Sequence, residues 1–299
     1  MTGRLFGFLN VDKPSGPTSR DVVDQIQEMV RPNKVGHAGT LDPLATGVLV
    51  VAVGPATRLV DYVQRFPKEY LGTFVLGRRS PSYDVDTPVE ELPNPRVPSL
   101  EELKAALPRF CGTILQTPPA FSAVKVAGRR AYKLARRGEA PSLEPREVTI
   151  HQLDIVRYVY PDLELHVLCS SGTYLRGLGH DLAVAVGTDA VMAALRRLAI
   201  GPFRVEQAIP PMGLAPDMIP QYLLSPLLAL GSMPQVTLEP EEWQRLAQGQ
   251  AIRDHWQLSA PELAALDAHG QLVAILVPAG RDLLRPEKTF PPGDTASEG

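Results

Sequence analysis

The chain has 299 residues, of which 44% are hydrophobic and 21% charged, so it is long enough and apolar enough to bury a sizeable core. No apolar run reaches the roughly 18 residues of a membrane-spanning helix, and the N-terminus lacks the apolar stretch and cleavage site of a secretory signal. These features predict a soluble, cytoplasmic protein with no membrane partner. The net charge of −3 excludes no class of ligand by itself.

Charge and metal-binding residue types are unevenly distributed. Residues 1–212 hold 25 Lys and Arg against 22 Asp and Glu, whereas residues 213–299 hold 5 against 11, so the first part has a surplus of three and the second a deficit of six. A surface for phosphate would therefore lie in the first part. Cys111 and Cys169 form no C-x-x-C pair, and the six histidines are scattered, so a metal enzyme is disfavoured and buried free thiols are favoured.

The first half of the chain predicts a mixture of strands and helices. Hydrophobic runs, turn residues and capping residues mark the individual elements. In chain order they are a strand at 6–11, a helix capped near Thr18 or Ser19, a loop at 36–47, strands at 47–53 and 69–76, a long surface loop at 78–98, and a helix at 99–107.

The second half begins with an alternating pair of segments typical of antiparallel strands. It ends in a smaller, β-rich module. The predicted elements are strands at 147–157 and 162–170, a helix within 172–187, a helix at 189–198, a connection with a short helix at 208–236, a strand near 236, a helix at 240–248, and strands near 263–267 and 271–277.

The segment GHAGTLDPLATG, residues 36–47, is the strongest candidate for a functional loop. Gly39 and Thr40 are small enough for the backbone to approach a ligand closely. Asp42 precedes Pro43, which restricts Asp42 to extended conformations and directs its carboxylate. A stiffly held loop aspartate suits a nucleophile or a base, whereas an aspartate that caps a turn is the structural alternative.

The same segment resembles the signature of the TruB family of tRNA pseudouridine synthases. Four other segments resemble that family in the same order, so that the resemblance covers roughly residues 6–210, followed by a small C-terminal domain of similar kind. They are GFLNVDKPSGPTSRDVV near the start, KEY at 68–70, SGTYLRGLGHDLAVAVGT at 171–188 and LRRLAIGPFRVEQAI at 195–209.

The resemblance implies an α+β fold with a mixed, mostly antiparallel sheet, packed helices and a small β-rich, PUA-like C-terminal domain. The implied domains are residues 1–212 as the catalytic domain with a basic, thumb-like insertion at about 118–146, residues 213–235 as a connection, and residues 236–290 as the PUA-like domain. Residues 291–299 look like a disordered tail.

The resemblance also assigns roles to five side chains. Asp42 is the catalytic carboxylate, and Arg176 pairs with it and keeps it ionised. Tyr70 packs against the target base and helps to deprotonate the rotated uracil. His37 stacks on the extruded base or takes its place, and Lys13 contributes to the substrate site in a mainly structural way. Without the resemblance, Tyr70 reads as a core aromatic and His37 as an ordinary loop histidine.

The segment 125–138 is basic and contains no acidic residue. A one-sided run of this kind is usually a solvated helix face, but phosphate contacts dominate RNA affinity. In the family this region matches the thumb, which closes over the tRNA stem–loop. The predicted RNA-binding residues are Lys125, Arg129, Arg130, Lys133, Arg136 and Arg137.

The predicted function is the isomerisation of a uridine at position 55 in the T-loop of tRNA, by a monomer that uses no cofactor and that also aids tRNA folding. Two other classes stay open. One is a non-catalytic RNA-binding protein or chaperone, which would not need Asp42, Tyr70 and Arg176 together. The other is a nucleoside hydrolase or glycosidase with Asp42 as nucleophile, which would need a second carboxylate about 5 Å away.

Overall fold

The computed structural model describes residues 5–122, 125–126, 128–131, 134, 137, 139 and 143–290. Its strands are β1 (Gly7–Lys13), β2 (Val35–His37), β3 (Thr46–Val53), β4 (Lys68–Leu76), β5 (Arg78–Arg79), β6 (Glu90–Glu91), β7 (Gly112–Gln116), β8 (Lys125–Val126), β9 (Arg129–Arg130), β10 (Arg146–Val159), β11 (Asp162–Cys169), β12 (Ala190–Ile200), β13 (Phe203–Arg204), β14 (Gln235–Thr237), β15 (Ile252–Arg253), β16 (Leu263–Leu266), β17 (Leu272–Pro278) and β18 (Leu283–Thr289). Its α-helices are α1 (Ser19–Val30), α2 (Val60–Arg65), α3 (Leu100–Ala106), α4 (Leu175–Ala185), α5 (Ile219–Tyr222) and α6 (Pro240–Ala247).

The main sheet has nine strands and carries the candidate site. Its order is β1-β3-β12-β4-β11-β10-β7, with β2 paired to β3 and β13 paired to β12. All of its pairings are antiparallel except that of β3 with β12. The predicted α+β fold with a mostly antiparallel sheet is therefore confirmed.

Strand β12 corrects the prediction of a helix at 189–198. The segment AVMAALRRLAI is rich in Ala, Leu, Met and Arg, which all favour helices in isolation. In the folded chain this segment lies between β3 and β4 and hydrogen bonds to both. Tertiary pairing at the centre of the sheet overrides the local preference, and it brings Arg197 opposite Tyr70 on β4.

The N-terminus of α1 confirms the predicted cap and fixes the start of the helix. Thr18 accepts a hydrogen bond from the backbone of Asp21, and the Asp21 carboxylate accepts one from the backbone of Thr18. This reciprocal arrangement satisfies two backbone N–H groups that the first helical turn leaves free. The buried face of α1, with Val22, Val23 and Ile26, packs on β1 and β3.

Helix α4 packs unusually close to the main sheet. A Cβ atom at Gly179 would lie 2.0 Å from the Phe74 ring on β4, so only glycine fits at this contact. The backbone of Tyr174, which precedes α4, exchanges two hydrogen bonds with the buried Gln116 side chain on β7. These contacts set the position of Arg176 in the first turn of the helix.

The segment 78–98, predicted as a surface loop, also differs from the prediction. It contains the short strand pair β5–β6, and three of its polar residues, Ser80, Ser82 and Asp84, are buried. Tyr83 stacks on His180 of α4, and its carbonyl accepts a hydrogen bond from Met192 of β12. Part of the loop is therefore folded inward against the sheet and the helix.

The C-terminal part forms the predicted β-rich module. Its five-stranded sheet has the order β14-β16-β17-β18-β15, of which β15 and β18 were not predicted. The preceding segment is more than a connection, because Leu224 and Ile209 bridge to β1 and Ile219 is buried against α1 and β3. The predicted tail at 291–299 lies outside the described residues. No helix in the described ranges is long and apolar enough to cross a membrane.

Candidate active site

Three side chains hold the loop that carries Asp42 in place: Ser19 of α1, Lys13 of β1 and Arg197 of β12. Ser19, the first residue of α1, accepts a hydrogen bond from the backbone N–H of Leu41 and donates one to its carbonyl. The backbone N–H of Ala45 donates to the carbonyl of Asp42, which closes a turn around Pro43. The aspartate is therefore presented on a fixed backbone.

Lys13 lies under this loop. Its residue has no exposed surface, and its ammonium donates hydrogen bonds to the carbonyls of Pro14, Pro43 and Ala45 at 2.9, 3.2 and 2.8 Å. Burial lowers the pKa of the Lys13 ammonium, while the Asp42 carboxylate acts in the opposite direction. The ammonium is thus enclosed and supports the loop from below, in keeping with the mainly structural part in the substrate site that the sequence analysis expects of Lys13.

Arg176 contacts Asp42, as the sequence predicts. Its Nε lies 3.3 Å from Asp42 Oδ2, and the Arg176 side chain is 7% exposed whereas that of Asp42 is 40% exposed. Nη2 donates to the carbonyl of Phe121 at 3.1 Å. The guanidinium is thus fixed below the surface, while the carboxylate that it contacts faces solvent.

Asp84 is the second carboxylate on Arg176, and the sequence analysis missed it. Its Oδ2 lies 3.0 Å from Arg176 Nη1, and its side chain is 1% exposed. Its Oδ1 accepts hydrogen bonds from the Ser82 hydroxyl and from the backbone of Asp86. The only sequence signal was the alternation Ser80-x-Ser82-x-Asp84 in a loop predicted to be exposed.

Tyr70 lies on the buried face of β4, within the apolar cluster that contains Leu41, Ala45 and Leu195. Burial raises the pKa of the Tyr70 phenol, and the positive charge of Arg197 acts in the opposite direction. The phenol is therefore uncharged at neutral pH.

Arg197 was also missed, because it lies in the segment predicted as a helix. Its residue is 1% exposed. Its guanidinium donates hydrogen bonds to the carbonyls of Val48 at 2.7 Å, Gly39 at 3.0 Å and Thr40 at 3.5 Å. Gly47 has φ +98°, and a Cβ there would lie 2.2 Å from the Arg197 carbonyl, so glycine is required where β3 meets β12.

The remaining predicted loop residues lie on the two sides of the turn. His37 ends β2 and is half-buried, and burial lowers the pKa of its imidazole, so the ring is neutral at neutral pH. Thr40 is exposed, and Gly39 is partly exposed. These residues lie where the loop meets the surface.

The basic segment is described only in part. The backbones of Lys125, Arg129 and Arg130 belong to the β8–β9 pair, and Arg137 is exposed. The predictions for Lys133 and Arg136 lie outside the described residues. Within the described ranges, no three or more His, Cys, Asp or Glu residues are arranged to hold a metal ion.

Comparisons with known proteins identify the family of the chain. Residues 27–175 match the family model described as "TruB family pseudouridylate synthase (N terminal domain)". The chain is 42% identical to "tRNA pseudouridine synthase B" of Gluconacetobacter diazotrophicus over 82% of each chain, and 37% identical to the protein of that name in Chelativorans over 95% of each chain.

Solved structures show the same fold. The chain in the "Crystal Structure of a Cbf5-Nop10-Gar1 Complex" superposes with a TM-score of 0.71 at 24% identity, covering 96% of this chain and 85% of that one. The chain therefore belongs to the TruB family of pseudouridylate synthases, which are RNA isomerases.

Proposed function

We propose that the protein converts a uridine in the T-loop of tRNA, at position 55, into pseudouridine, with Asp42 as the catalytic carboxylate. The relatives named tRNA pseudouridine synthase B supply the substrate class. The observation that carries the assignment to Asp42 is its contact with a buried guanidinium at 3.3 Å while its own side chain stays 40% exposed.

In this proposal, the carboxylate works in its charged form. Isomerisation requires the bond between N1 and C1′ to break, the uracil to rotate, and a bond between C5 and C1′ to form. A carboxylate can attack C1′ or abstract the proton at C2′, and both steps need a free oxygen. Arg176 stabilises the anion on one side of Asp42, and the other side is open for the ribose.

The target base must leave its stack before it can reach Asp42, at a cost of a few kcal/mol. We propose that Tyr70 packs against the extruded uracil, and that the apolar neighbours Leu41 and Leu195 exclude water from it. His37, Gly39 and Thr40 would contact the RNA around the base. The basic segment, in which Arg137 is exposed, would bind phosphates of the stem.

A glycosidase is disfavoured by the position of the second carboxylate. Asp84 contacts the same guanidinium as Asp42, but its side chain is 1% exposed and both of its oxygens accept hydrogen bonds from protein groups. A buried, fully engaged carboxylate cannot donate a proton to a leaving group or activate a water on the substrate. We assign Asp84 to positioning Arg176.

We also propose that the protein works as a monomer in the cytoplasm. The domain division proposed from the sequence is kept: a catalytic domain at 1–212, a connection at 213–235 and a PUA-like domain at 236–290.

The test is incubation with an unmodified tRNA transcript labelled with tritium at C5 of uridine. Isomerisation places the glycosidic bond at C5 and therefore releases that hydrogen to water. A transcript with cytidine at position 55 is the matched control. We expect release from the first RNA alone, with pseudouridine found by nucleoside analysis. Equal release from both transcripts would contradict the position, and no release would contradict the activity.

A further inference from the structure

Arg197 is a buried cation at the centre of the main sheet. It lies on β12, paired in register with Tyr70 of β4 on one side and with Gly47 of β3 on the other. Side chains of directly opposed residues project from the same face of a sheet and lie within contact range. Arg197 and Tyr70 are therefore neighbours on one face, and both are almost fully buried.

The Arg197 side chain hydrogen bonds to the Tyr70 phenol, and its guanidinium also donates hydrogen bonds to three backbone carbonyls around the Asp42 loop. Two belong to Gly39 and Thr40, which precede Asp42, and the third belongs to Val48, which follows the loop. Its neighbour Arg196 points to the other side and forms an ion pair with Asp12. Arg197 forms no such pair with any carboxylate in the part of the chain that the structure describes.

A buried cation without a carboxylate partner stabilises the fold less than an apolar side chain in the same core position would. A well-packed apolar side chain in place of a buried charge is often neutral or stabilising. Residues that depart from apolar core packing at a cost in stability are commonly found at functional sites. The Arg197 charge also reaches the groups around the loop, because it lowers the pKa values of Lys13, His37 and Lys68 in addition to their burial.

We propose that Arg197 is a positioning residue that ties the Tyr70 phenol to the Asp42 loop and supplies the positive charge against which the phenol oxygen acts. This inference rests on the proposed function, because it concerns the same site. Arg197 has two effects that a neutral residue could not combine. It holds three backbone carbonyl groups in place, and its positive charge partly offsets the effect of burial on the Tyr70 phenolate.

The titratable groups that act on Tyr70 lie on three elements around it. Arg197 faces it from β12, Cys169 from β11 and Asp42 from the loop; Arg197 lowers the Tyr70 pKa, whereas the other two raise it. Removal of the Arg197 charge leaves only influences that raise the pKa of the phenol. Any step that uses the Tyr70 oxygen as a proton acceptor then requires a higher pH.

The experiment compares Arg197→Gln, which removes the charge, with Arg197→Lys, which keeps it. The control is Arg196→Gln, at the adjacent position on the opposite face. Single-turnover rates on the tRNA transcript are measured across pH. We expect the rising limb of the Arg197→Gln profile to move to higher pH, and those of Arg197→Lys and Arg196→Gln to keep the wild-type position.

A second measurement needs no RNA and therefore separates this inference from the proposed function. Ultraviolet titration of phenolate, as the difference between each protein and the same protein carrying Tyr70→Phe, gives the Tyr70 pKa directly. A higher value in Arg197→Gln than in the wild type supports the inference even if the wild type makes no pseudouridine. An unchanged Tyr70 pKa, with an unshifted rate profile, overturns it and leaves Arg197 a purely structural residue.

Arg197→Gln could fail to fold, since the side chain is buried. The double-mutant cycle of Arg197→Lys with Tyr70→Phe then decides. Arg197→Lys keeps the charge, and with it the pH position of the profile, but it lacks the planar fork of donors and should therefore lower the plateau rate. If Arg197 acts through Tyr70, this slowing is seen with Tyr70 present and largely disappears in the Tyr70→Phe background. Equal slowing in both backgrounds contradicts the inference.

Discussion

Arg176 contacts two carboxylates at once, Asp42 through Nε at 3.3 Å and Asp84 through Nη1 at 3.0 Å. The two carboxylates differ in exposure, at 40% for Asp42 and 1% for Asp84. Because one guanidinium serves both, a change at the buried carboxylate alters how strongly the exposed one is held. The difference in exposure distinguishes Asp42, the reacting group in our proposal, from Asp84, the group that orients Arg176. The first two predictions concern these two carboxylates.

Asp42→Asn should make no detectable pseudouridine and bind tRNA with near-native affinity. The amide has the size of the carboxylate but lacks the charge needed to attack C1′ or to take a proton from C2′, a loss that costs several orders of magnitude in rate. Single-turnover assays and filter binding test the two halves. Wild-type activity would reject the catalytic role, and an unfolded variant would instead support a turn-capping aspartate.

Asp84→Asn should slow the reaction by about 10- to 100-fold and leave tRNA affinity unchanged. It weakens a charge-assisted hydrogen bond worth about 1.5–3 kcal/mol, and each 1.4 kcal/mol is tenfold in rate. The side chain is too buried to touch RNA. Glu91→Gln, exposed in the same loop, is the control. A loss of affinity without a loss of rate would contradict the positioning role.

Tyr70→Phe should retain tRNA binding within a few-fold and lose most of the turnover. The ring remains available for packing against the base, while the oxygen required for proton transfer is absent. Rates at saturating enzyme and equilibrium binding measure the two effects separately. A Phe variant as fast as the wild type would show that Tyr70 acts by packing alone.

Combined neutralisation of Arg129, Arg130, Arg136 and Arg137 should weaken tRNA binding and reduce its salt dependence. Each lost phosphate contact lowers the slope of log K against log salt by roughly 0.7–0.9. Neutralisation of Arg253 and Arg281, exposed in the C-terminal module, is the matched control. An unchanged slope in the first variant would mean that the segment is an ordinary solvated surface.

Alkylation should modify Cys111 and spare Cys169 in the folded protein at pH 8. Cys111 is exposed, which contradicts the buried thiol that the sequence favours there, whereas Cys169 is buried and burial raises its pKa to about 11. The thiolate is the reactive form, so Cys169 reacts only after unfolding. Mass spectrometry of the wild type and of Cys111→Ser counts the modified sites. Rapid labelling of native Cys111→Ser would contradict the placement of Cys169 in the core.

The family resemblance was sufficient to single out Asp42 and Arg176 and to imply that they pair. From local features alone, Asp42 in its Gly-rich loop had the alternative of capping a turn, and Arg176 at the start of an amphipathic helix had no assigned partner. Their contact at 3.3 Å matches the prediction, while the roles assigned to them stay predictions.

Asp84 and Arg197 could not be found in that way. The chemistry of Asp84 depends on a loop that folds inward, and no local pattern in residues 78–98 shows this. Arg197 lies in a segment of helix-favouring residues that becomes a strand only because β3 and β4 accept it between them. The places of Asp84 and Arg197 in the fold depend on contacts with segments distant in sequence, which local propensities do not predict.

The way the chain passes over β1 sets a limit on where the protein can be shortened. Leu224 and Ile209 bridge to the outer edge of that strand, and Ile219 fills a place in the core beside it. A chain cut at the proposed boundary of 212 would lose Leu224 and Ile219, expose backbone groups of β1 to other strands, and leave a cavity. A shortened form that keeps the catalytic sheet intact must therefore extend through Leu230, the last residue of the turn that packs against α2.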